Sequence, residues 1–183
     1  IDSKRMILIH LAFLFNLYNL IKNNMLLSNN QLLPLILSFF LLMTSIVLFY
    51  SNKNKTAIIF MVIGNLVIGL AVANLDSFLN LLDEQYHALV AKNMIADPLK
   101  PILYSSPLLN YDSTSWISNH VWLHKQPLFL WQIALSLKIF GTNALAVRIP
   151  SICMHVIISL FIYRIGKISY NSNVGYYGAL FFT

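Results

Sequence analysis

From Leu32 to Tyr50 and from Thr56 to Leu75 the chain carries no charged side chain, and from Ala144 to Tyr163 it carries only Arg148. Runs of this kind admit few folds. In water they have no polar face to turn outward, whereas about 20 apolar residues rising 1.5 Å each cross a hydrocarbon layer of roughly 30 Å. Inside lipid the backbone must satisfy its own hydrogen bonds, which for such runs means helices. The chain therefore reads as an all-α, polytopic membrane bundle. Its charged fraction of 10% agrees, since an ordinary soluble domain has roughly 25%.

The net charge of +6 does not point to nucleic acid, because the cations form no stripe with interleaved aromatics. They flank the apolar runs instead. Simple alternation of spans places Lys4/Arg5, Lys53/Lys55 and Arg164/Lys167 on the cytoplasmic side, and the long segment after Leu75 outside. The Asn54-Lys55-Thr56 sequon then faces the cytoplasm, where glycosylation is not expected. Cys153 is the one cysteine; lying in an apolar run, it is expected to be a small buried hydrophobe.

Three regions follow. Residues 1–75 are an N-terminal membrane region with expected spans at about 6–21, 32–50 and 56–75. Residues 6–21 could also be a signal-peptide core, but no small-residue cleavage site follows. Gly64 and Gly69 in the third run would let a neighbouring helix approach closely. Residues 76–143 form a long extracytoplasmic loop holding five of the six acidic residues and two helical stretches, 83–94 and 127–140. The second is short for a span and suits a juxtamembrane helix. Residues 144–183 hold a span at about 144–163 and the start of another near Val174. The opening Ile1 and the apolar close at Ala179–Phe182 read as a piece cut from a longer protein.

The chemistry-bearing residues cluster in and beside the long loop. Asp83 and Glu84 open a helix, where acids complement the helix dipole. A carboxylate beside a low-dielectric surface also has its pKa raised and becomes a better proton acceptor, so capping and function both stand as readings. Asp83 and His87 share a face at four-residue spacing, as would His120 and His124 if helical. The three histidines are candidate ligands for a divalent metal, and surface histidines near headgroups are the alternative. Lys125 sits where the loop meets the apolar stretch from Pro127, suited to lipid phosphate or to a substrate's phosphate. Arg148 opens an apolar span, and its fork suits a phosphate or a carboxylate.

The order of these parts, DEQYHALVAKNM, then HKQPLFLW, then ALSLKIFGTNALAVRIPS, resembles the membrane glycosyltransferases of the C superfamily over residues 76–183. The likeness is to the protein O-mannosyltransferase and lipid A aminoarabinose transferase branch. It implies a polyprenyl-phosphate-linked sugar donor and an active site on the extracytoplasmic face of a bacterial plasma membrane. It further implies an acceptor hydroxyl on protein, lipid A or another glycan. Asp83 falls on the family's proposed catalytic base, with Glu84 as its partner and Lys125 and Arg148 on the donor phosphate. The chain departs from the aminoarabinose transferases in having His124-Lys125-Gln126-Pro127 for Glu-Lys-Pro-Pro, and Tyr86 for an arginine. It also places three expected spans, rather than one, before the acidic loop.

The expected reaction is an inverting single displacement with Asp83 as base, needing no nucleotide. A transporter or flippase for a lipid-linked substrate is the alternative, though none of the complete spans carries an interior acid. A purely structural subunit gives Asp83, Lys125 and Arg148 no reason to surround one cavity, which makes their convergence the discriminating observation.

Overall fold

A computed structural model describes residues 29–104, 106, 110, 112, 114, 120–122 and 124–183. The expected span at 6–21 lies outside the described residues. Among those described, six α-helices run in the order α1 (Asn29–Tyr50), α2 (Asn54–Ala73), α3 (Asp83–Met94), α4 (Pro127–Phe140), α5 (Ala144–Ser169) and α6 (Ser172–Phe182). The only β-type pairing among them is an isolated antiparallel bridge between Ile102 and Val121. The all-helical expectation holds. Three helices, α1, α2 and α5, are long and apolar enough to cross a membrane. The chain divides into two compact units, one ending at Val72 and the other running from Ala73 to Phe182.

In the first unit α1 stops at a turn in which Asn52 takes φ 60, a left-handed conformation that asparagine tolerates. Lys53 N–H donates back to Leu48 O at 3.0 Å, closing the end of the helix. The chain then reverses into α2. Ser45 Oγ donates across to Ala57 O at 2.7 Å, tying the two helices through a bond worth having where no water competes. A Cβ on Gly64 would come within 2.8 Å of Leu42 Cδ2. The small residue read from the sequence is therefore at a real helix contact.

The second unit is built on α3, α4 and α5. Helix α3 turns Ala88, Val90, Ala91 and Met94 inward, and α4 meets them with Leu130, Ile133, Ala134 and Leu137. These positions follow the helical period, which is why each helix buries one stripe. Pro127 starts α4 at a position whose missing N–H costs nothing, and Gly141 ends it at φ 83, open to glycine without a Cβ penalty. Asn143 then caps α5, its Oδ1 accepting from Ala146 N–H at 2.8 Å. Ser136 Oγ donates to Ala146 O at 2.6 Å and fastens α4 to the start of α5.

The end of α5 and the burial of Cys153 differ from expectation. Helix α5 extends to Ser169, past Arg164 and Lys167, because long cationic stems can run along a helix toward the interface without ending it. At 26 residues it measures about 39 Å, longer than the ~30 Å apolar layer. Cys153, expected to be buried, is exposed on α5. A helix of this composition is apolar around its circumference, so an apolar residue type does not identify the inward face.

Candidate active site

Helix α3 begins in an unusual way. Leu82, just before it, has φ 71 and ψ −105, a region costly for a side chain with a Cβ. Its carbonyl nevertheless accepts the helix's early bond from Tyr86 N–H at 3.0 Å. This kink delivers two consecutive carboxylates at the helix start, Asp83 exposed and Glu84 half-buried.

Glu84 is held on both sides. Its Oε2 accepts from Asn80 N–H at 2.7 Å. Arg148 Nε donates to Oε1 at 2.7 Å and Nη2 to Oε2 at 3.1 Å, a two-point pair whose side chains are only 14% and 19% exposed. The remaining arginine donors go to backbone carbonyls: Nη1 to Ala73 O at 2.6 Å and Asp76 O at 2.5 Å, and Nη2 to Phe78 O at 2.7 Å. A guanidinium has five N–H groups in a fixed fork, and here all five have acceptors. Arg148 thereby gathers the segment leading into α3 onto the first turns of α5.

This geometry bears on two expectations. Arg148 was expected on the donor phosphate; in this structure its five donors are directed at Glu84 and three carbonyls, which ties down the segment leading into α3. The raised carboxylate pKa expected at the membrane edge is reversed at Glu84. The Arg148 hydrogen bond pulls its pKa below 4.5, burial opposes this, and the Asn80 N–H and the guanidinium charge lower it further.

One turn on from Asp83, His87 is 8% exposed and its Nε2 has no hydrogen-bond partner. Its ring stands edge-on to Phe129 at 5.3 Å and to Trp122 at 6.2 Å. Burial depresses its pKa below the ordinary 6.5, Lys125 pushes the same way, Asp83 opposes and His124 adds a further lowering. The imidazole is thus neutral at pH 7, with the charges of Lys125 and Asp83 both within electrostatic reach.

Lys125 is placed by the short extended pairing of residues 101–103 with 120–122. Leu103 N–H donates to His120 O at 2.8 Å and Trp122 N–H to Pro101 O at 2.7 Å. Asn93 of α3 secures this pairing from behind by donating to Ile102 O at 2.8 Å and Leu103 O at 3.2 Å. Trp122 is 1% exposed and stacks on Tyr86 at 5.4 Å between centroids. An open cleft of about 590 Å³ lies alongside, lined by Trp122, His124, Lys125, Trp131, Pro98 and Leu99 among others. Its shape is braced by Trp131 Nε1, which donates to Pro98 O at 2.7 Å. Among the described residues Lys125 lines this cleft, whereas Asp83 and Arg148 do not.

The histidines do not assemble as a ligand set. His120 lies in the extended pairing rather than on a helix, so the face expected to align it with His124 does not form. His124 is exposed and edge-on to Trp122 at 5.6 Å. No group of three His, Cys, Asp or Glu side chains among the described residues is placed to share one cation. Three residues outside the expected set belong to the site: Trp122, Tyr86 and Trp131. Their sequence signal is an aromatic next to each chemistry-bearing element, in EQYH, VWLHK and FLWQ.

No curated protein and no solved structure matches the chain. The acidic pair at the start of α3 lies outside the stretch that a family model covers. That stretch begins at His124, takes in Lys125, α4, Arg148 and α5, and continues through α6. Residues 124–183 match the model for dolichyl-phosphate-mannose-protein mannosyltransferase, which supports a glycosyltransferase of the C-superfamily type.

Proposed function

We propose that the chain is a membrane glycosyltransferase that moves a sugar from a polyprenyl-phosphate donor to an acceptor hydroxyl. The family match favours mannosyl-type transfer. The carrying observation is that the stretch matched by the family model opens at the wall of an aromatic-lined cleft, where Lys125 lies. Asp83, exposed at the start of α3, supplies a carboxylate.

In this reading the acceptor oxygen attacks the sugar's anomeric carbon as its proton passes to an Asp83 carboxylate oxygen. The bond from that carbon to the phosphate oxygen breaks, and the electron pair leaves with the lipid phosphate. Lys125 stabilises the charge that grows there, the electrostatic contribution that usually dominates such steps. Attack opposite the leaving group inverts the anomeric centre. Glu84 and Arg148 position Asp83 by fixing the chain on either side of Leu82, and neither reaches the donor. The trio expected to surround a single cavity does not do so, since Lys125 alone of the three lines the cleft; in this reading Asp83 meets the acceptor at the exposed start of α3 while Arg148 holds the loop. The site faces the extracytoplasmic side, following the cations that flank the spans. For a bacterial chain that membrane is the plasma membrane, and a protein, lipid A or another glycan supplies the hydroxyl.

Asp83→Asn tests the reading directly. Membranes holding this variant should express it normally and lose transfer from a radiolabelled polyprenyl-phosphate sugar. Turnover at the unmodified rate would remove Asp83 as the base.

A further inference from the structure

We propose that His87 is a second phosphate-holding residue of the donor site, its Nε2–H donating to the leaving phosphate beside the Lys125 ammonium. The inference rests on the donor reading above and names a residue that reading does not use.

Four observations carry it. First, Nε2 is buried without a hydrogen-bond partner, although buried polar groups in folded proteins are nearly always paired and an orphan calls for an explanation. Second, the imidazole stands edge-on to Trp122 at 6.2 Å, and Trp122 lines the cleft that Lys125 also lines; the Lys125 charge acts on the imidazole as well. Third, that cation is under-supported. A phosphate monoester presents several acceptor oxygens, one ammonium cannot satisfy them all, and the arginine that would have shared the task is fully engaged by Glu84 and three carbonyls.

The fourth is access. Of the two rings fencing the imidazole, Trp122 is 1% exposed and fixed in the core, whereas Phe129 is 36% exposed on the first turn of α4. In this proposal Phe129, the more exposed of the two rings, is the wall that turns aside to open Nε2. A neutral imidazole keeps one N–H donor for this purpose.

The test uses the purified chain in phosphatidylcholine nanodiscs, with polyprenyl phosphate as the probe and tryptophan fluorescence as the binding signal. His87→Phe keeps the ring and removes the donor; His87→Gln keeps an N–H. Phe should weaken binding about 10-fold while Gln stays within about threefold of the parent. A structural histidine predicts the reverse, since a buried amide among aromatics destabilises and a phenyl ring does not. Inorganic phosphate, and nanodiscs containing phosphatidylglycerol, separate the sources of the phosphate. A His87→Phe loss confined to polyprenyl phosphate means the lipid carrier is read as well, whereas a loss shared with inorganic phosphate means the phosphate alone is read; both support the proposal.

Parent-like binding in His87→Phe with loss in Lys125→Ala overturns the role of His87 and leaves the donor site standing. Parent-like binding in both overturns the donor site itself. Phe129→Ala is the second arm, in which only the exposed wall is removed. It should speed association about threefold or more, and an unchanged rate overturns the proposal even if both His87 variants fail to fold.

Discussion

Arg148 and Glu84 meet in a two-point ion pair across a sequence separation of 64 residues, at 2.7 and 3.1 Å. The same guanidinium holds the carbonyls of Ala73, Asp76 and Phe78, so one side chain on α5 sets the path of the chain into α3. Arg148→Lys keeps the charge and loses the planar fork. A single ammonium has three donors and cannot replace five in that arrangement. With both side chains mostly buried, the loss should be about 2–3 kcal/mol. A detergent melting curve should show it as a clear fall in midpoint, and transfer activity should drop with it through disorder at Asp83. Glu84→Gln should cost less, because a neutral amide still accepts from Arg148.

The same pair gives stability an acid limit. Glu84 has a folded-state pKa below its ordinary 4.5, so the folded form binds its proton less readily than the unfolded form. The sign follows: its contribution is fully present above pH 4.5 and is lost as pH falls through the lower, folded value. His87 acts at a higher pH. Buried and neutral, with Asp83, Lys125 and His124 the charged or titratable groups acting on it, it also has a lowered pKa. Stability should therefore begin to decline as pH falls below 6.5. Melting midpoints between pH 7.5 and 3.5 should fall in two steps, with the upper step absent in His87→Phe and the lower one absent in Arg148→Met.

Leu82 predicts an asymmetry between two apolar replacements. At φ 71 a side chain with a Cβ is strained, and a β-branched one is more so. The side chain is 62% exposed, so little packing depends on it. Leu82→Gly relieves the strain while adding unfolded-state freedom, and should leave stability within about 1 kcal/mol of the parent. Leu82→Val should destabilise by about 1 kcal/mol or more. If valine is tolerated and glycine is not, the conformation at Leu82 is not what orients Asp83.

Local features were legible because local physics sets them. The stretch DEQYHALVAKNM reads as a helix from its leading acids and its apolar period, and α3 spans Asp83–Met94. Pro127 and Gly141 bracket the second stretch, and α4 occupies the residues between them. Arg148 shows where legibility ends. Its fork fits a phosphate or a carboxylate equally well, and only the fold brings Glu84 from 64 positions away to make it a carboxylate. The His120/His124 spacing likewise implied a shared face only under a helical conformation. An extended pairing with residues 101–103 removes that face, and strand partners distant in sequence leave no periodic signal.

Trp122 links the core to the cleft, which makes its two readouts separable. It is 1% exposed, packs in the cluster shared by α3 and α4, and stacks on Tyr86 at 5.4 Å. Its backbone N–H anchors the extended pairing through Pro101 O at 2.7 Å, three residues before Lys125. Trp122→Ala should cost about 3–5 kcal/mol through lost burial and the cavity left behind. Trp122→Phe fills most of that space and keeps an aromatic face for Tyr86, so it should cost substantially less. The backbone bond survives in both, but a cavity under residues 120–122 lets the segment carrying Lys125 shift. Under the proposed function, a displaced Lys125 would weaken donor binding before it altered proton transfer at Asp83. In the phenylalanine variant, which should remain folded, KM for the polyprenyl-phosphate donor should rise while kcat changes little. An equal fall in kcat and kcat/KM would instead place Trp122 in contact with the reacting sugar.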